Sequence, residues 1–167
     1  MANEQQKQKE AVDWWMQKAR SGAAYRRNLL AKADRARATT VIGKMFFFEY
    51  DPKHKMKLPI YDRFPLVFPI ERYPDGFLGL NLHYLDVGTR SGILNELTKY
   101  ANNKKMDQTT KLRLSYDLLQ KTRFLGSVVP CIKRYLMGHV RSDFIEITAN
   151  EWEKVAQLPV QVFITRT

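Results

Sequence analysis

Three histidines, one cysteine and a scatter of carboxylates are the residues of this chain with side chains suited to catalysis or metal binding. His54, His83 and His139 lie 29 and 56 residues apart, with no partner at the short spacing by which one helix or strand presents two ligands to a metal. The sequence therefore predicts no metal and no cofactor. His83 falls near the end of a strand-like run and reads as a half-buried histidine bonded to backbone rather than as a general base. Cys131 stands alone, so no internal disulfide and no cysteine-rich zinc site can form. Its apolar and basic surroundings could activate a thiolate, but a lone buried cysteine is the commoner outcome.

Paired carboxylates are the other route to chemistry. Asp62, Asp75, Asp86, Asp143, Glu146, Glu151 and Glu153 are available, yet none has the Glu-x-Lys or Asp-x-Asp spacing that gathers metal-binding oxygens on one strand. Asp75 belongs to a Pro-Asp-Gly turn, and Asp86 and Asn150 read as helix caps. The eight glycines are scattered, so no phosphate-cradling loop is present. A metal-dependent nuclease is kept only as a remote alternative to a non-catalytic protein.

What the composition does supply is positive charge. Lys and Arg number 28 against 17 Asp and Glu, a formal +11, and such a field favours nucleic acid, an acidic protein partner or an anionic surface. Two blocks carry it. Residues 1–40 hold nine basic and four acidic side chains, and residues 99–134 hold nine basic against Asp107 and Asp117. In the first block Arg26, Arg27, Arg35 and Arg37 are the candidate phosphate contacts; in the second they are Lys104, Lys105, Lys111 and Arg113. Trp14 and Trp15 are the candidate anchors to a protein partner.

These residues need elements to hold them. Residues 1–40 contain no proline and one glycine and are rich in Ala, Gln, Lys and Arg, which predicts a basic helical arm ahead of a globular domain over residues 41–167. Val12, Trp15, Ala19, Leu29 and Leu30 make only a broken apolar stripe, so the arm is expected to find its apolar contacts on another chain or domain, with its first ten residues disordered in isolation. From residue 41 the character turns to β. The run Val41 to Tyr50 is aromatic and β-branched; Leu58 to Tyr61 follows; Phe64 to Ile70 carries Pro65 and Pro69 and predicts an edge or bulged strand. After the turn at Tyr73-Pro74-Asp75-Gly76, Phe77 to Tyr84 reads as a strand. The expectation is an α+β fold with a small antiparallel sheet, either a meander or a small barrel.

Helices come next. Ile93, Leu94, Leu97, Tyr100 and Ala101 share one helical face that Asn102-Asn103 ends, and Asp107 or Thr109 caps a second helix containing Leu112, Leu114, Leu118 and Leu119. Pro130 starts a third short helix through Leu136; Phe144 to Ile147 alternates as a strand, Asn150 to Ala156 is helical, and Val160 to Ile164 forms a final strand. No run approaches the roughly 18 apolar residues that span a bilayer, and no secretory segment is read at the N-terminus. A soluble, intracellular or intravirion protein is expected.

The stretch Gly43-Lys44-Met45-Phe46-Phe47-Phe48-Glu49-Tyr50-Asp51-Pro52-Lys53, with Leu58 to Val67, Gly76 to Leu85 and Cys131-Ile132-Lys133-Arg134-Tyr135-Leu136, resembles a family of large contractile-tailed bacteriophages. The resemblance covers about residues 42–165 and leaves the arm outside. It implies a virion structural component, of the kind called a DNA end protector, that stays with the terminus of the packaged genome and performs no chemistry. The partners it implies are duplex DNA, acidic virion proteins, or both, within a larger assembly. A neck, tail or baseplate subunit that binds only other virion proteins is the alternative.

Overall fold

The computed structural model describes residues 2–24, 42–52 and 62–160, with side chains of the first segment described over residues 3–20. Its centre is an open five-stranded antiparallel sheet of β1 (Met45–Phe47), β2 (Leu66–Tyr73), β3 (Gly76–Asn81), β4 (Ile132–Leu136) and β5 (Ile145–Ile147), in the order β4-β3-β2-β1-β5. The fold is α+β, with the meander β1-β2-β3 that the sequence suggests. The sheet does not close into a barrel, because β4 and β5 sit at opposite edges and do not meet.

Strand β1 shows why both faces must be covered. Met45 and Phe47 project to one side and Phe46 and Phe48 to the other, and all four are buried. On the first face Leu66, Phe68, Ile70, Leu80 and Leu82 complete a core covered by helices α1 (Ala2–Ala24), α2 (Val87–Ala101), α3 (Gln108–Thr122) and the short α4 (Trp152–Ala156). On the second face the cover is aromatic. Phe48 packs edge-on or tilted against Phe77, Tyr135 and Phe144 at centroid separations of 5.8, 5.4 and 4.8 Å. Each such pair adds about 0.5–1.5 kcal/mol beyond the area it buries.

Two glycines are required by geometry. Gly43, ahead of β1, has φ +97°, and a Cβ there would sit 3.3 Å from the Ser115 Cβ of α3. Gly76 pairs with Leu136, and a Cβ on it would lie 1.9 Å from the carbonyl oxygen of Tyr135. Pro74 and Asp75 form the two-residue tip between β2 and β3, as their chemistry predicts.

Several expectations are corrected. Of the two readings of the proline-bearing strand, bulged holds and edge does not: it is internal, flanked by β1 and β3. It tolerates Pro69 because β1 pairs only with Leu66 and Val67, and the β3 register shifts between Pro69 and Glu71. The segment read as a helix after Pro130 is a single 3-10 turn, Val129–Cys131, followed by β4. As an edge strand in which only Tyr135 is fully buried, β4 carries almost no alternation for a sequence reading to find. The third strand stops at Asn81. Helix α1 begins at Ala2, and of the two expectations for its apolar contacts, another chain or another domain, the second holds: Ala11 and Trp14 close the core of the domain that follows, on its α4 side. Asp86 and Asp107 cap α2 and α3 by accepting from the backbone N–H of Thr89 and Thr110. Asn150, by contrast, caps nothing and accepts from the Thr148 hydroxyl. Leu58 to Tyr61 and all but the first residue of the Val160 to Ile164 strand lie outside the described residues.

Candidate nucleic-acid interface

The residues with catalytic side chains are used for cohesion. At the end of β3, Asn81 donates through Nδ2 to the Tyr135 hydroxyl at 3.2 Å and to Asp62 at 3.3 Å, while its Oδ1 accepts from the His83 backbone N–H at 2.9 Å. His83 Nδ1 pairs with Asp62 Oδ2, and the Asp62 carboxylate also accepts from the Phe64 backbone N–H. The His83 ring is thus buried rather than half-buried, and its partner is a carboxylate rather than the backbone. Burial pushes the Asp62 carboxyl up, but His83 and the hydrogen bonds from His83, Asn81 and Phe64 outweigh it and hold it below the ordinary value. Burial raises the Tyr135 phenol well above its ordinary range, with the Asp62 charge adding to it. The Trp15 ring stands edge-on to His83 at 4.7 Å, and His83 Nε2 is buried without a hydrogen-bond partner. A histidine–aspartate pair closed in this way holds three segments together but presents no proton to a substrate.

Cys131 is buried, its thiol pushed up first by burial, and Sγ points at the Ser127 carbonyl 3.7 Å away. That is the opposite of an activated thiolate. Among the described residues no group of three His, Cys, Asp or Glu side chains is placed to hold a metal ion. One cavity of about 390 Å³ opens beside Lys44, Lys111, Ser115 and Glu146, but Lys44 and Glu146 already pair at 3.3 Å.

The basic residues divide by what they touch. Lys18 pairs with Glu151 at 3.0 Å, and the same carboxylate accepts from the Trp14 indole at 2.9 Å, so this charge is spent on fastening α1 to the domain. Lys111 donates to the Ala101 carbonyl at 3.1 Å, supporting the C-terminal end of α2. Lys104, Lys105, Arg113 and Lys121 are exposed, and among the described residues none forms a salt bridge, although the Arg113 charge helps hold the Asp107 carboxyl below its ordinary value. Arg113 and Lys121 stand on one outward stripe of α3, and Lys104 and Lys105 lie in the loop that leads into it. Lys104, Lys105 and Arg113 are exposed, whereas Lys111 is half-buried against the Ala101 carbonyl. Arg26, Arg27, Arg35 and Arg37 lie outside the described residues. Trp14 and Trp15 face this chain's own core, Trp15 against Phe47 at 5.4 Å.

Two features escape a sequence reading. Arg90, inside α2, is fully buried and donates to the carbonyls of Leu85, Val155 and Leu158, tying α4 to α2. Burial pulls its pKa down to about 10, which leaves it charged at neutral pH. Just past α3, Phe124 is 78% exposed, with Leu125 and Val129 beside it at 50% and 53%.

Residues 4–167 match the family described as phage T4 terminal DNA protecting protein. The match takes in α1, which the resemblance read from the sequence leaves outside. No curated protein and no solved structure matches the chain.

Proposed function

The chain belongs to the phage T4 terminal DNA protecting protein family, and from that premise we propose that it is a non-catalytic virion protein that contacts the packaged duplex at or near its end. The contact surface is the outward side of α3 with the loop before it. The observation that carries this reading is the exposed row Lys104, Lys105, Arg113 and Lys121, none of which forms a salt bridge among the described residues, although the Arg113 charge also acts on the Asp107 carboxyl. A cation already paired within a protein has little field left for a ligand, whereas an unpaired one releases a counterion for each phosphate it meets. Arg26, Arg27, Arg35 and Arg37 extend the same positive field by composition and are proposed to join the contact.

A second reading is a neck, tail or baseplate subunit that binds acidic virion proteins and no DNA. The exposed apolar side chains Met16, Val87, Leu125 and Val129 favour it. The two readings separate on binding to linear and covalently closed duplex across a salt series. DNA contact predicts a steep loss of affinity with salt, flattened by about 3–4 units of slope when Lys104, Lys105, Arg113 and Lys121 are changed to Gln. No binding of either DNA at physiological salt would leave the protein-only reading standing.

A further inference from the structure

We propose that the tip formed by Phe124 and Leu125 caps the exposed face of the last base pair of a duplex, while the cations of α3 lie along the adjoining phosphates. The proposal rests on the DNA-end reading above and names the part of that surface that tells an end from the middle.

Phosphates are the same along a duplex, so cations alone bind ends and interiors alike. An end differs by presenting one flat, apolar base-pair face that stacking covers elsewhere. Recognising it takes an apolar, preferably aromatic, projection with positive charge beside it. Phe124 is the most exposed of the large apolar side chains among the described residues. It does not hang from a loose loop. The Leu125 N–H donates to the Thr122 carbonyl at 3.0 Å, and the N–H groups of Val128 and Val129 both donate to the Leu125 carbonyl at 2.9 and 3.0 Å. Val128 is fully buried beneath the turn. The tip is therefore a closed turn with its base in the core and its apolar side chains outward.

The cation nearest the ring is paired within the fold, and the charge left for phosphates stands on α3. The Arg123 guanidinium lies 5.6 Å from the Phe124 centroid and is held by Glu71 at 3.1 Å and Gln120 at 3.0 Å. Lys121 and Arg113 continue away from the tip along α3. From Arg113 to Phe124 the stripe runs about 16 Å, which matches about five phosphate steps of one strand. The acidic groups nearby are mostly committed: Glu71 to Arg123, Asp86 to Thr89 as a helix cap. Asp117 alone interrupts the stripe. A polyanion with one apolar face fits both the ring and the α3 cations.

The full-length chain and its Phe124→Ala and Phe124→Trp variants are compared for binding to a blunt linear duplex and to a covalently closed circle at fixed salt. A fluorescent base analogue at the terminal position reports stacking. Phe124→Ala is expected to lose about tenfold in preference for the linear form, with affinity for the circle unchanged and the terminal fluorescence change abolished. Phe124→Trp is expected to keep both. An unchanged linear preference in Phe124→Ala overturns the tip proposal, as does a wild-type protein that binds both forms equally while remaining salt-sensitive. Loss of particle incorporation in Phe124→Ala with its end preference intact overturns it too, and assigns the tip to a protein partner. Absence of all DNA binding by the wild type defeats the underlying DNA reading instead.

Discussion

The junction of α1 with the sheet and the outer edge of α3 draw on the same residue types and use them in opposite ways. At the junction nearly every polar group is turned inward and satisfied: Lys18 and Trp14 share Glu151, His83 holds Asp62, and Asn81 bridges Asp62 and Tyr135. At the α3 edge Lys104, Lys105, Arg113 and Lys121 face solvent outside any salt bridge among the described residues, and Phe124 is more exposed still than the other large apolar side chains described. The contrast separates residues that maintain the fold from residues left available to a partner. A total charge of +11 cannot make that distinction, because it counts Lys18 and Lys104 alike.

Substitutions should break the two regions differently. The largest effect belongs to the closed side: Arg90→Met removes the side-chain donor from the carbonyls of Leu85 and Leu158, while the Val155 carbonyl keeps the Leu158 N–H, at a cost of about 3 kcal/mol, read from denaturant unfolding. Trp14→Ala should cost about 3 kcal/mol by emptying core volume between α1 and α4, and should lower the thermal midpoint before it alters any DNA contact. On the open side, changing Lys104, Lys105, Arg113 and Lys121 together to Gln should move stability by less than about 0.5 kcal/mol. The same variant should still flatten the salt slope of DNA binding, so a large loss of stability would show that the row is structural after all.

The smallest effect is one of pH. Asp62 is held below its ordinary value in the folded protein, so its contribution is fully present above the unfolded carboxylate pKa of about 4 and is lost as pH falls through the lower folded value. The stability gap between the wild type and Asp62→Asn should therefore be constant near neutrality and shrink below about pH 4. A gap that stayed constant into acid would remove the His83–Asp62 pair from the account of the closed side.

Local chemistry made much of the fold legible in advance. The aromatic run around Phe46 to Phe48, the Pro74-Asp75 turn and the caps Asp86 and Asp107 all speak through neighbours in sequence. What was hidden depends on long-range contact. His83 meets Asp62 across 21 residues and Asn81 meets Tyr135 across 54, and no spacing rule joins them. Arg90 looks like a solvated helix residue until α4 packs over it, and β4 looks irregular because an edge strand is half exposed. The candidate interface was legible as a charge block over residues 99–134, but the half-burial of Lys111 and the exposure of Phe124 follow only from packing.

The central claim is that the open edge serves a duplex end, and the most direct measurement is protection. Linear blunt duplex is incubated with an end-dependent exonuclease, with and without the full-length protein and its Lys104, Lys105, Arg113 and Lys121 to Gln variant. The account predicts that the wild type slows digestion from the ends while a nicked circle opened internally is digested as before, and that the variant gives little protection. Linear duplex degraded at the same rate with and without bound wild-type protein would contradict it.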